Sequence, residues 1–117
     1  MSVNVYDVAY ELEKSIRQSK EYTDLQSLLD AVNKDEVAKK MFDNFREVQM
    51  KLQQKQMTGQ EITQEEVEQA QKLLQLVQQN PSISKLMEAE QRMSMLIAEL
   101  NKIIMKPLED LYGSPQV

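Results

Sequence analysis

The stretch Ile83-Ser84-Lys85-Leu86-Met87-Glu88-Ala89-Glu90-Gln91-Arg92-Met93-Ser94-Met95-Leu96-Ile97-Ala98-Glu99-Leu100-Asn101-Lys102-Ile103-Ile104 decides the fold. Its stripe is Ile83, Leu86, Glu90, Met93, Ile97, Leu100 and Ile104, in alternating steps of three and four. Side chains at that spacing share one narrow face of an α-helix, the seam by which helices pack on helices. With Ile83 at heptad position a, Ala89, Leu96 and Ile103 fall at g and widen the apolar face, while Met95 falls at f, opposite the seam. Such a helix has more apolar surface to bury than one neighbour covers. The expectation is that Leu86, Glu90, Met93, Met95, Leu96, Ile97, Leu100, Ile103 and Ile104 form an oligomer or partner interface.

Working outward, the chain restarts at Asn80-Pro81-Ser82, where proline suits a first helical position and either polar neighbour can cap. Upstream, Thr63 and Glu66 form a capping box for a helix carrying Val67, Ala70, Leu74 and Val77 to about Gln79. Thr58-Gly59 stops a third helix whose stripe is Ala38, Met41, Phe45, Val48 and Leu52. The turn between the two is short, which predicts an antiparallel hairpin. Asn33 with Glu36 resembles the start of that third helix. A short second helix is expected over about Thr23 to Val32, burying Leu25, Leu28, Leu29 and Val32. Asn4 caps a first helix that turns Val5, Val8, Ala9, Leu12 and Ile16 inward and ends near Ser19. Pro107 should kink or end the last helix, with one more turn at Leu108, Leu111 and Tyr112. The fold class is therefore all-α: a bundle of about five helices, one domain over residues 1–112, with a flexible tail over 113–117.

Composition agrees and narrows the chemistry. The 117 residues suit one domain, and 28% charged with 41% apolar residues marks a globular chain. Glu13–Arg17, Asp35–Lys39, Glu36–Lys40, Glu47–Lys51, Glu68–Lys72 and Glu88–Arg92 each place an acid four residues before a base, the favourable order on a helix. A net charge of −5 disfavours sequence-independent attachment to nucleic acid or anionic lipid. There is neither a signal-peptide pattern nor an apolar run of membrane-spanning length, so a cytoplasmic location is expected.

With no His and no Cys, imidazole and thiolate chemistry are absent. Ser82-Ile83-Ser84-Lys85 matches a serine–lysine nucleophile motif, but its companion elements are missing, and a serine at a helix start is a cap. Glu61, Glu65, Glu66 and Glu68 cluster where a helix N-terminus attracts acids, and a di-iron bundle site would need the histidines that the chain lacks. No cofactor, no metal and no catalysis are expected. Glu90 interrupts the seam; it either sits at the edge or pairs with a base and sets register, or it reads a partner or a proton. Lys39, Lys40, Arg46, Lys51 and Lys55 form a strip on the third helix, interleaved with acids and without an aromatic platform for stacking bases.

A series of short elements carries a resemblance. Met41-Phe42-Asp43-Asn44-Phe45-Arg46-Glu47-Val48-Gln49 is followed by Gln54-Lys55-Gln56-Met57-Thr58-Gly59 and Glu61-Ile62-Thr63. Gln79-Asn80-Pro81-Ser82-Ile83 and Ala89-Glu90-Gln91-Arg92-Met93 complete it. In this order they resemble the YlbF/YmcA-like family of small bacterial helical proteins, most closely its YheA branch, from about Tyr6 to Tyr112. The resemblance implies an all-helical fold, self-association and a regulatory, non-enzymatic role. Relatives act in complexes that influence competence, sporulation, biofilm formation and mRNA processing. Those relatives are associated with iron–sulfur binding through cysteines; none is present here, so that ligand set does not carry over. The expected function is a cytoplasmic protein-interaction module forming a homodimer or higher oligomer, with protein partners in a regulatory complex. The alternative is an RNA-associated accessory factor linked to mRNA processing.

Overall fold

A computed structural model describes residues 4–113. Within them the chain is an all-α helical bundle: α1 (Val5–Gln18), α2 (Lys20–Lys34), α3 (Glu36–Thr58), α4 (Gln64–Gln79) and α5 (Pro81–Tyr112). No strand occurs among the described residues. Apart from Gly113, the tail expected over 113–117 lies outside them.

Side-chain caps set the boundaries. Asn4 Oδ1 accepts from the Tyr6 N–H at 2.9 Å and opens α1. Ser19 serves two helices at once. Its hydroxyl donates to the Ile16 carbonyl at 2.6 Å, closing α1, and accepts from the Tyr22 N–H at 3.2 Å, opening α2. The second helix therefore starts at Lys20, a few residues before the Thr23 start expected, and runs on to Lys34. Asp35, not Asn33, caps α3: its Oδ1 accepts from the Val37 and Ala38 N–H groups at 3.1 and 3.2 Å. Both residues can play this part, and α2 simply runs past Asn33 before the chain turns. Lys39 pairs with Asp43 at 3.2 Å.

At the other end of α3, Gly59 adopts φ 73° and ψ 15°, the left-handed conformation that lets its N–H reach the Lys55 carbonyl. Thr63 and Glu66 form the full reciprocal box, with Glu66 N–H to Thr63 Oγ1 at 3.2 Å and Thr63 N–H to Glu66 Oε1 at 3.1 Å. The other oxygen of Glu66 accepts from Lys55 Nζ at 2.6 Å, tying the end of α3 to the start of α4. That bond first, and the Thr63 N–H second, hold the Glu66 carboxyl down at about 2. Asn80 Oδ1 accepts from the Ser82 and Ile83 N–H groups, and so caps α5 with Pro81 at its first position. Pro107 does not end α5, which continues to Tyr112.

By compactness the described chain falls into two units, which α2 and α5 both enter. The unit from Gln26 to Glu88 holds most of the core: Val32 from α2, Ala38, Phe42 and Phe45 from α3, Val77 from α4, and Ile83 and Leu86 from α5. Within it α3 and α4 pack on each other across the turn at residues 59–63, the expected hairpin. Phe42 is absent from the stripe read off the sequence. Met41 and Phe42 stand three and four residues after Ala38, so both fit a helical face, and only packing chose the ring. The Arg46 guanidinium caps that ring 4.7 Å from its centre.

The other unit comprises the chain up to Leu25 and from Ala89 onward. Of the five helices, α1 separates apolar from polar faces most sharply, yet no residue of it is buried. Leu12 and Ile16 are half-covered; Val5 and Val8 are exposed. The inward-facing role expected of the α1 stripe is thus not realised within this chain.

Candidate interaction surface

Helix α5 is 32 residues long, about 48 Å at 1.5 Å per residue. Its stripe changes environment along the way. Ile83 and Leu86 are both 0% exposed. Ala89 is buried beside the stripe, and Glu90, Met93, Leu96 and Leu100 are half-covered. Beyond Leu100 the cover stops. Ile103 is 69% exposed and Leu111 78%, and Ile104, Met105 and Leu108 are also open. At 100° per residue, Ile97, Leu100, Ile104, Leu108 and Leu111 all fall within roughly one quarter of the helix circumference. The apolar seam that is core in the first turns of α5 becomes surface in the last ones.

The nine residues singled out by sequence separate accordingly. Leu86 is enclosed by its own chain, so the surface open to a partner begins beyond it. Ile97, Leu100, Ile103 and Ile104 come together on or beside the open stripe. Met95 is exposed on the opposite side of α5 and is not part of it. Met105, Leu108, Leu111 and Tyr112 were not among the nine, yet they extend the apolar surface to the end of the helix. The signal for Leu108 and Leu111 was the same three-four spacing carried past Pro107.

Candidates for chemistry stay apart. Ser82 uses its N–H on the Asn80 cap. Glu66 is committed to Lys55 and Thr63. Among the described residues no three carboxylates stand close enough to hold a metal ion. The grooves are shallow. One of about 300 Å³ beside the hairpin is lined by Phe45, Leu52, Ile62, Val67, Ala70 and Leu74 with glutamines at its rim, and it holds no ionisable group. The strip on α3 is largely engaged internally: Lys39 with Asp43, Lys55 with Glu66 and Arg46 over Phe42. No described helix is long and apolar enough to cross a membrane.

An all-helical bundle with a long half-covered helix, and with no metal-binding cluster among the described residues, defines a class of helix-packing proteins. Within that class the chain belongs to the family described as control of competence regulator ComK, YlbF/YmcA, which matches residues 5–109. It is 71% identical to the YheA protein of Bacillus subtilis over 114 residues, 97% of each chain. A relative from Bacillus pumilus is 71% identical over 116 residues, 99% of this chain and 98% of its own. Among solved structures, a protein of unknown function from Bacillus stearothermophilus superposes with a TM-score of 0.86 at 44% identity, covering 94% of this chain and 96% of that one. The solved YheA of Bacillus subtilis gives 0.74 at 58% identity, covering 94% and 100%. These matches bear out the family resemblance and the all-α fold read from the sequence.

Proposed function

We propose that this chain is a non-catalytic, cytoplasmic regulatory module that acts as one domain and self-associates through the open stripe of α5. The observation behind this reading is the loss of cover after Leu100 on an otherwise continuous apolar seam. An apolar face that ends in water is a place where another protein surface gains by binding. The family description, control of a competence regulator, supports a role exercised through protein partners. A role on RNA has less behind it, since three of the five α3 cations are already engaged by the protein's own groups.

Light scattering on the full chain tests the reading directly. A mass twice that of the chain, or a higher multiple, is expected at micromolar concentration, and Ile104→Glu should return it to the single-chain mass with helicity intact. A wild-type protein that stays a single chain at every concentration would sink the proposal.

A further inference from the structure

We infer that α1 supplies the second half of the self-association surface, so that a second copy of this chain covers the open stripes of α1 and α5 together. The inference rests on the reading of α5 just given and extends it to a helix that the reading did not use.

The first argument is the stability of α1 itself. It has only 14 residues and buries none of them. A helix of that length is marginal in water unless its apolar face is packed. The face is well formed: Val5, Val8, Ala9, Leu12 and Ile16 fall within roughly 100° of arc. Leu12 and Ile16 have partial cover, whereas Val5 at 75% exposure and Val8 have little. In α5 the loss of cover likewise confines itself to one end, and that end belongs to the same compact unit as α1.

The second argument is area. The open parts of Ile97, Ile103, Ile104, Met105, Leu108 and Leu111 sum to roughly 600 Å², and those of Val5 and Val8 on the α1 face add roughly 190 Å². The largest apolar patch of an ordinary monomer is about 300–600 Å², and the α5 part alone reaches the top of that range. If about two thirds of a homodimer interface is apolar, roughly 800 Å² of apolar surface corresponds to about 1,200 Å² per partner, above the size of an ordinary dissociable complex. The α5 part alone corresponds to about 900 Å² per partner, the size of an ordinary dissociable complex.

Charge selects the occupant. The stripe positions of α1 and of α5 beyond Leu100 carry no charged residue, and the e and g flanks of α5 from Ser94 to Leu108 carry none either. A charged partner has nothing to pair with there. A second copy presents the same neutral stripe and meets no like charge along it.

Because the chain has no cysteine, a single introduced thiol reports one place only. The test is sedimentation velocity on the full chain between about 1 and 100 µM, paired with maleimide labelling of Val8→Cys over the same range. Val8→Glu should raise the dimer dissociation constant at least about tenfold with the circular dichroism unchanged. The Val8→Cys thiol should label more slowly than the same thiol in the Val8→Cys, Ile104→Glu double variant, in which the dimer is dissociated. Should Val8→Glu lose helicity, the labelling of the milder Val8→Cys variant decides alone. Unchanged dimerisation of Val8→Glu, or equal Val8→Cys labelling with and without Ile104→Glu, overturns the role of α1. The α5 reading then survives if Ile104→Glu still dissociates the dimer, and falls as well if it does not. Added salt should leave association unchanged or strengthen it; a dimer that salt dissolves points to a charged contact and also overturns the inference.

Discussion

Leu86 and Ile104 stand on one stripe of one helix, and truncating each should have opposite kinds of consequence. Leu86 is fully enclosed. Leu86→Ala removes three carbon groups, worth about 2.4 kcal/mol of transfer free energy at about 0.8 kcal/mol each. The side chains that enclose it cannot collapse fully into the space. The cavity left behind adds up to about 1 kcal/mol, for a total near 3 kcal/mol. With a urea slope of about 1.5 kcal/mol per molar, typical of this chain length, the unfolding midpoint should fall by about 2 M. That shift should be the same at low and high protein concentration, because the contact lies within one chain. Ile104 is about half exposed, so Ile104→Ala should cost about 1 kcal/mol or less in dilute protein, with a larger effect as concentration rises. The assay is urea unfolding followed by circular dichroism at two protein concentrations. A Leu86→Ala midpoint within about 0.5 M of wild type would refute the account of the buried seam, because the removed atoms would then have had nothing packed against them.

Other substitutions probe the boundaries of the helices. Asp35→Ala should cost about 1 kcal/mol in thermal unfolding and Asn33→Ala at most a few tenths, since only Asp35 accepts the free N–H groups of α3. Gly59→Ala should destabilise by about 1–2 kcal/mol although nothing crowds the new methyl group, because φ 73° is strained for any residue with a Cβ. Glu66 has its pKa depressed to about 2, so its contribution to stability is complete above the ordinary carboxylate range near 4.5 and is lost as the pH falls through that range toward 2. An acid titration followed by circular dichroism should therefore find the wild type losing stability relative to Glu66→Gln across that window, with the difference between them largest at neutral pH.

The sequence alone determined that this chain is helical, how many helices it has and nearly where each begins. Those properties depend on neighbours within a turn or two: the Thr63–Glu66 box, the stop at Gly59 and the break at Asn80-Pro81 act over four residues or fewer. Two misreadings at this level were local ties, Asn33 against Asp35 and Met41 against Phe42, in which two nearby residues satisfy the same rule. Only the tertiary structure decided which apolar faces are covered. Val5, Val8, Ile83 and Ile104 look alike in a periodicity, since each is a branched aliphatic side chain in register on its helix. Ile83 is nonetheless core and the other three are surface. Cover is supplied by residues far away in sequence, or by another molecule, and a pattern within one helix carries no record of what lies across from it.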